Sequence, residues 1–228
     1  MVSVIAEIGK KELKTTFRSK SIIIPLAVAI GVPILLLPTT IQAIAERPEL
    51  MYAYILLIQT IPVIVIASVI GMNAFVNEIT WKTMKSLLVA PLSEKEIFIG
   101  KSLPCIVAGL ITEACWAVIP LVLLPIAVDI PIIIIVVVTG PLLVIFTTFM
   151  IIAMTSRFPS SAGGETAAFI SMGAVIGVLL LCFFLQFLLQ MNPIAMQVMV
   201  ALAVAALTFM TYFIATKWFN RERLVVGL

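Results

Sequence analysis

The sequence predicts an all-α integral membrane protein with six transmembrane helices, an N-terminal amphipathic interfacial helix and a cytoplasmic helix between spans two and three. Three observations predict this fold: the composition, the length of the apolar runs and the placement of the charges. Of the 228 residues, 63% are hydrophobic and 11% are charged, whereas a soluble domain is about 25% charged. The apolar runs each come near the ~20 residues that a helix needs to cross a bilayer.

Six apolar stretches follow the N-terminal segment. The third is long enough to form two pieces, and Pro104, Pro120 and Pro125 favour a bend or a break within it. We therefore divide the chain into an interfacial helix at 1–20 and a transmembrane domain at 21–228. The predicted spans lie at about 22–45, 51–75, 94–125, 131–155, 163–187 and 194–216.

The basic residues orient the bundle. Of the 14 lysines and arginines, all but Arg47 fall at the two ends of the chain or in the segments after spans two and four. By the positive-inside rule both termini are cytoplasmic, and the chain is a multi-pass protein of the cell membrane. A net charge of +3, distributed among the apolar runs, offers no basic patch for nucleic acid.

The first twenty residues form an amphipathic pattern. On a helical wheel, apolar side chains that include Phe17 occupy one half, and most of the charged side chains occupy the other. Such a helix lies along the cytoplasmic interface with its cations toward anionic headgroups. The cations that define this face include Lys10, Lys11, Lys14 and Arg18.

A short amphipathic helix is predicted at 77–90, within the longest charged interval between apolar runs. Asn77 is a candidate N-cap, Glu78 and Lys82 form an i,i+4 pair, and Pro91 ends the helix. Ser93 and Glu96 then form a capping box that starts span three. The pattern alone also fits an ordinary interfacial anchor. The residues that share its apolar face are Trp81, Met84 and Leu88.

No nucleotide or metal site is predicted. Gly100-Lys101-Ser102 resembles the end of a phosphate-binding loop, but Lys95 stands where that loop requires a glycine. We therefore expect no catalytic residues, no cofactor bound by this chain and no metal. The cysteines lie inside apolar segments without ligand spacing, and we expect them to be buried thiols. They are Cys105, Cys115 and Cys182.

Glu113 is an acidic residue deep inside an apolar segment. It lies twelve residues, or ~18 Å of helix, beyond Lys101, which puts it near or past the bilayer midplane. Two interpretations stay open: a group that lines a substrate path or proton site with Thr112 and Trp116, or a protonated carboxyl that bonds a neighbouring helix for structure. The residues that share its face are Cys105, Gly109, Thr112, Trp116 and Pro120.

Small residues recur at four-residue spacing in the predicted spans. Such pairs permit close helix contacts, and we expect packing within one subunit in preference to a specific dimer motif. The pairs are Ala27 with Gly31, Ala67 with Gly71, Gly173 with Gly177, and Ala201 with Ala205.

Over nearly its full length the chain resembles the permease subunits of ABC-2 type (type V) ATP-binding cassette exporters. A basic amphipathic helix precedes the first span, and Asn192-Pro193 precedes the last. The chain departs from the family pattern at Lys82, where glycine is common, and at Lys85, where an acidic residue is common. The residues between spans two and three that carry the resemblance are Glu78, Thr83, Leu87-Leu88, Pro91, Ser93, Glu96 and Gly100-Lys101.

The resemblance implies a permease without its own nucleotide site, powered by a separate ATPase that binds ATP and Mg. Residues 77–90 would be the coupling helix in a groove of that ATPase, and 1–20 the connecting helix beside it. Two permease chains, as a homodimer, and two ATPase chains would export hydrophobic or amphipathic cargo such as a drug, an antimicrobial peptide or a lipid. Residues 183–193 would form short re-entrant helices. The coupling residues would be Glu78, Trp81, Lys82, Met84, Lys85 and Leu88.

Two other classes of function stay open from the sequence. One is a proton-coupled secondary carrier that uses Glu113, although no inverted repeat supports it. The other is a membrane protein that transports nothing, such as an immunity or assembly factor. An ATPase gene beside this one would favour the exporter.

Overall fold

The structure is a computed structural model that describes residues 10, 14, 23–46, 51–80, 94–123, 128–157, 161–189 and 191–218. All regular structure in these residues is helical, and each of the six predicted apolar stretches contains helix. In chain order the helices are α1 (Ile23–Glu46), α2 (Met51–Thr80), α3 (Glu94–Leu123), α4 (Ile130–Ile134), a π-helical segment (Ile135–Thr139), α5 (Gly140–Arg157), α6 (Ser161–Phe187) and α7 (Pro193–Trp218).

Within the described ranges, four stretches of helix are long and apolar enough to cross a membrane. Shorter apolar helices lie at Ile34–Ile44 in α1 and at Met51–Val65 in α2. An all-helical protein with membrane-competent helices is therefore what the sequence predicted. The four long stretches are Glu96–Ile119, Ile130–Thr155, Phe169–Gln186 and Pro193–Lys217.

The outer surface of the bundle is apolar. Leu35, Val122 and Phe169 are more than 70% exposed, and large apolar side chains follow the outer faces of α3, α6 and α7. Water-soluble monomers rarely expose contiguous apolar surface of this extent. A bilayer, in which such side chains meet acyl chains, accounts for it.

Two predicted boundaries are wrong. α2 continues through Asn77 to Thr80, so Asn77 does not cap the start of a separate helix. Residues 77–80 extend span two, and 81–90 lie outside the described residues. α3 is one helix that includes Pro104 and Pro120, so the expected break is absent from Glu94–Leu123. Pro125 lies outside the described residues.

The start of α3 and the α6–α7 turn can both be compared with the sequence. α3 begins at Glu94, directly after the predicted cap at Ser93. Asn192 Oδ1 accepts a hydrogen bond of 2.9 Å from Ile194 N, so Asn192-Pro193 starts the last helix. In 183–193, the described residues complete α6 and turn into α7, so the re-entrant helices implied by the resemblance are absent from them.

Helices α2 and α5 lie at the centre of the bundle. α2 packs against α1, α3, α5 and α6, and α5 packs against α2, α3, α6 and α7. The main apolar core joins Leu56 of α2, Leu143 of α5, Cys182 of α6 and Val200 of α7. The buried polar side chains of the two helices include Gln59 and Thr60 on α2 and Thr147 and Thr148 on α5.

A hydrogen bond fixes the loop before α4 to the start of α2. Tyr52 donates its hydroxyl to Asp129 Oδ2 at 2.5 Å. The other carboxyl oxygen, Oδ1, accepts from Ile132 N at 3.1 Å and caps α4. Asp129 therefore sets where the fourth apolar stretch begins, and with it the register of the π-helical segment one turn later.

The small-residue pairs divide into packed and open ones. Ala201 is 7% exposed, as expected for packing within the chain. At Gly31, Gly173 and Gly177, by contrast, an added Cβ would have no atom within 4 Å. The expectation that Gly173 and Gly177 pack within one subunit is therefore wrong for the described residues, because these glycines lie on the open face of α6.

Gly109 provides a testable close contact between α3 and α5. A Cβ at this position would lie 2.6 Å from Val144 Cγ1, and the β-branched valine has little freedom to turn away. We expect Gly109→Ala to lower the free energy of unfolding by ~1–3 kcal/mol through overpacking. Thermal unfolding in detergent measures this.

The Val144→Ala variant is the control for that contact. In the double variant the alanine at 109 occupies the space that the valine methyls leave, so the two losses are expected to sum to less than their separate values. Strictly additive losses would show that the Gly109 and Val144 contact does not determine the helix spacing.

Candidate functional site

A buried polar pair connects α2 with α3 near the centre of the bundle. Gln59 of α2 donates its Nε2 hydrogen to Glu113 Oε1 of α3. Gln59 is 1% exposed and Glu113 is 4% exposed. The neighbouring Thr60 and Thr112 bond to carbonyls of their own helices, so Gln59 and Glu113 are the two side chains that join α2 to α3 by a hydrogen bond here.

Gly140 allows the pair to lie against a third element. A Cβ at this residue would lie 2.9 Å from both Gln59 Nε2 and Glu113 Cδ. Real Cβ atoms essentially never approach other heavy atoms within 3.0 Å. Glycine thus lets the backbone at the start of α5 lie against the amide and the carboxyl in this arrangement, and a larger residue would require those side chains to shift.

The π-helical segment ends at this contact. Gly140 N donates to Ile135 O, five residues back, in place of the four-residue bond of an α-helix. The segment changes the rotation of α5 relative to α4 and brings the glycine to the polar pair. Single π turns inside α-helices are found frequently at functional sites.

Two buried oxygens, one in the pair and one on the residue before Gly140, have no hydrogen-bond partner among the described residues. They are Oε1 of Gln59 and Oγ1 of Thr139, the residue that precedes Gly140. Thr139 is fully buried. A buried acceptor without a donor costs free energy, so the cluster has unused capacity to accept a proton or a polar ligand.

The predicted path residues of α3 make separate contacts. Thr112 Oγ1 donates to Ala108 O of its own helix at 2.8 Å. Trp116 is 4% exposed and packs with Leu37 and Ile58 in a separate apolar cluster. Of the three residues predicted to line a substrate path, Glu113 alone belongs to the polar pair. Its hydrogen bond to Gln59 of α2 is the contact expected if the carboxyl joins two helices for structure.

The predicted cytoplasmic residues are described only in part. Lys10 and Lys14 are helical and exposed, as an interfacial helix requires. The backbone of Glu78 belongs to α2. The remaining predicted residues lie outside the described part of the chain: Lys11, Phe17, Arg18, Trp81, Lys82, Met84, Lys85 and Leu88.

The burial of one cysteine and of Lys101 differs from what the sequence predicted. Cys105 and Cys182 are buried thiols as predicted, but Cys115 is exposed on the outer face of α3. In the searched residues no group of His, Cys, Asp and Glu could hold a metal ion. Lys101, counted with the cytoplasmic charges, is fully buried in protein.

Gln59, Thr139 and Gly140 were missed by the sequence reasoning. A signal for each was present, because Gln59-Thr60 interrupts the apolar run of α2 and Thr139-Gly140-Pro141 interrupts that of the fourth stretch. Their proximity to Glu113 depends on tertiary packing, which a single sequence does not specify.

The fold and this site define a helical protein with membrane-competent helices and a buried polar pair at its centre. Compared with known proteins, the chain matches no family model and no curated protein.

Proposed function

We propose that the chain is the permease subunit of an ATP-driven ABC exporter of the ABC-2 type. It spans the cell membrane six times with both termini in the cytoplasm. It carries no nucleotide site of its own and moves hydrophobic or amphipathic cargo outward. The energy comes from a separate ATPase subunit that binds ATP and Mg.

One observation carries this proposal: the charged segment between the second and third apolar stretches, from Glu78 to Lys101, resembles the coupling segment of that family. The helices on either side support it. α2 extends past the apolar run to Thr80, and α3 begins at Glu94. A push on the segment would therefore reach α2 and α3 directly, and those two helices meet at Gln59 and Glu113.

The assembly is proposed to contain two permease chains and two ATPase chains. Closure of the ATPases on ATP would move the two coupling helices, and the paired bundles would change between inward and outward access. The apolar interior suits cargo with little polar surface.

The experiment is co-purification in mild detergent of this chain, expressed with its genomic neighbours, followed by an ATPase assay. We expect an ATP-hydrolysing subunit to elute with the chain in an equal number of copies. A chain that purifies alone and is indifferent to ATP would contradict the proposal.

A proton-coupled carrier is the second candidate, and buried Glu113 with its bond to Gln59 is the observation that favours it. A carrier would transport without any ATPase and would stop when the proton gradient is dissipated. Transport that requires ATP hydrolysis and survives loss of the gradient would exclude it.

A further inference from the structure

We propose that Gln59 and Glu113 form a proton-binding site inside the bundle, in which Glu113 holds a proton and the Gln59 amide is its hydrogen-bond partner. The proposal deepens the proposed function but rests on it only for the site's role in transport. Protonation itself is a property of this chain.

The surroundings of Glu113 favour the neutral acid. Its carboxyl is 4% exposed, and Gln59, a neutral amide, is the hydrogen-bond partner that the structure gives it. A buried carboxylate is stabilised by a cation or by several donors, and one amide N–H does not replace the water that a charged group loses.

Among the described side chains of the surrounding elements, no ionisable group supplies the cation or the donors that a Glu113 carboxylate would need. Tyr52 donates to Asp129, which precedes the fourth apolar stretch. Lys101 lies about three helical turns from Glu113 along α3. The full set on these elements is Glu46 on α1, Tyr52, Tyr54 and Glu78 on α2, Glu94, Lys95, Glu96, Lys101, Cys105 and Cys115 on α3, Asp129 before α4, Arg157 on α5, and Glu165 and Cys182 on α6.

The Gln59 amide can form a hydrogen bond with Glu113 in either protonation state of the carboxyl group. In the described orientation its Nε2 donates to Glu113 Oε1, which suits an acceptor. A half-turn of the amide exchanges Nε2 for Oε1, the buried oxygen without a partner, and Oε1 then accepts from the O–H of the neutral acid. A proton delivered by hydronium, which leaves a water, thus forms one O–H bond on the carboxylate, and the Gln59 amide pairs with either protonation state through one of its two polar atoms.

Gly140 keeps the site closed. Its backbone lies against both side chains, and no side chain at 140 separates them from α5. We therefore expect protons to exchange with the carboxyl when α2, α3 and α5 move apart and admit water. Glu113 would hold the proton while α2, α3 and α5 are packed together, and would exchange it with water when these helices separate.

Infrared spectroscopy of the full chain in detergent near neutral pH tests the proposal. We expect a carbonyl-stretch band of a protonated carboxylic acid, where exposed glutamates are ionised. The band should be lost in Glu113→Gln and kept in Glu46→Gln. Glu46 is the matched control, since it is exposed and accepts a hydrogen bond from a glutamine, Gln42, at 3.1 Å.

Two further measurements keep the test decisive if a variant is unstable. In Gln59→Leu the band should persist but shift to higher frequency, because the acid loses its acceptor. Glu113→Gln should keep the thermal unfolding temperature near that of the wild type, since a glutamine is neutral and can both donate to and accept from Gln59.

Three results would overturn the proposal: no protonated-acid band, a band indifferent to Glu113→Gln, or a band that Gln59→Leu leaves unmoved. None of these measurements requires the ATPase. A missing ATPase partner would therefore contradict the exporter without affecting the proton site, and a missing band would contradict the proton site alone.

Discussion

Replacing Trp81 and Met84 with alanine is expected to leave the chain inserted in the membrane and to release it from its ATPase. Both side chains lie on the apolar face predicted for 77–90, and a buried aromatic anchor at an interface is typically worth 2 kcal/mol or more. The dissociation constant of the permease and ATPase subunits should rise by about 30-fold. Binding of the purified ATPase to the permease in nanodiscs measures it.

The matched control replaces Phe169 and Met172, another aromatic and methionine three residues apart. They are 76% and 54% exposed on the outer face of α6, so the same apolar atoms are removed at a surface where no coupling contact is proposed. The control should bind the ATPase like the wild type. Full binding by the Trp81 and Met84 variant would show that this helix is not the coupling element.

Gly140→Ala is expected to lower the stability of the chain, because the new methyl would contact both members of the buried polar pair. The new methyl would lie 2.9 Å from Gln59 Nε2 and from Glu113 Cδ. The amide and carboxyl must then move apart or the start of α5 must shift, and overpacking of this kind costs ~1–3 kcal/mol. The expected result is a lower thermal unfolding temperature in detergent.

Gly173→Ala is the control for the backbone effect of replacing glycine. An added Cβ there meets no atom within 4 Å, so the substitution should be neutral or should stabilise the helix by about 0.5–1 kcal/mol. Equal changes for the two variants would mean that contact with Gln59 and Glu113 does not require glycine at 140.

The positions of the helices were predictable from the sequence because each apolar run is bounded by charged or turn residues. The start of α3 beside Ser93 and of α7 beside Asn192 follows from local capping chemistry, which acts over three or four residues. The end of α2 was not predictable in this way. Asn77 can cap a helix or lie within one, and in this chain α2 continues past it.

Of the candidate site, Glu113 was predictable from the sequence and its contacts were not. Glu113 stands out because a carboxyl in an apolar run is costly. Its partner and the glycine beside it do not stand out, since they come from stretches that lie next to α3 only after folding. The π-helical segment is hidden for another reason: residues 132–138 are all isoleucine or valine, so no periodicity reveals the winding of Ile135–Thr139.

The account's central claim is that the segment between α2 and α3, which includes 81–90, contacts an ATPase, and a photo-activated cross-link from that segment tests it most directly. A benzophenone side chain at Lys85 of the full chain, co-purified with the ATPase and illuminated, should give a covalent product that contains an ATPase peptide. The same group at Phe169 should give none. Products at Lys85 that contain only lipid or this chain, from a preparation in which both subunits are present, would contradict the claim.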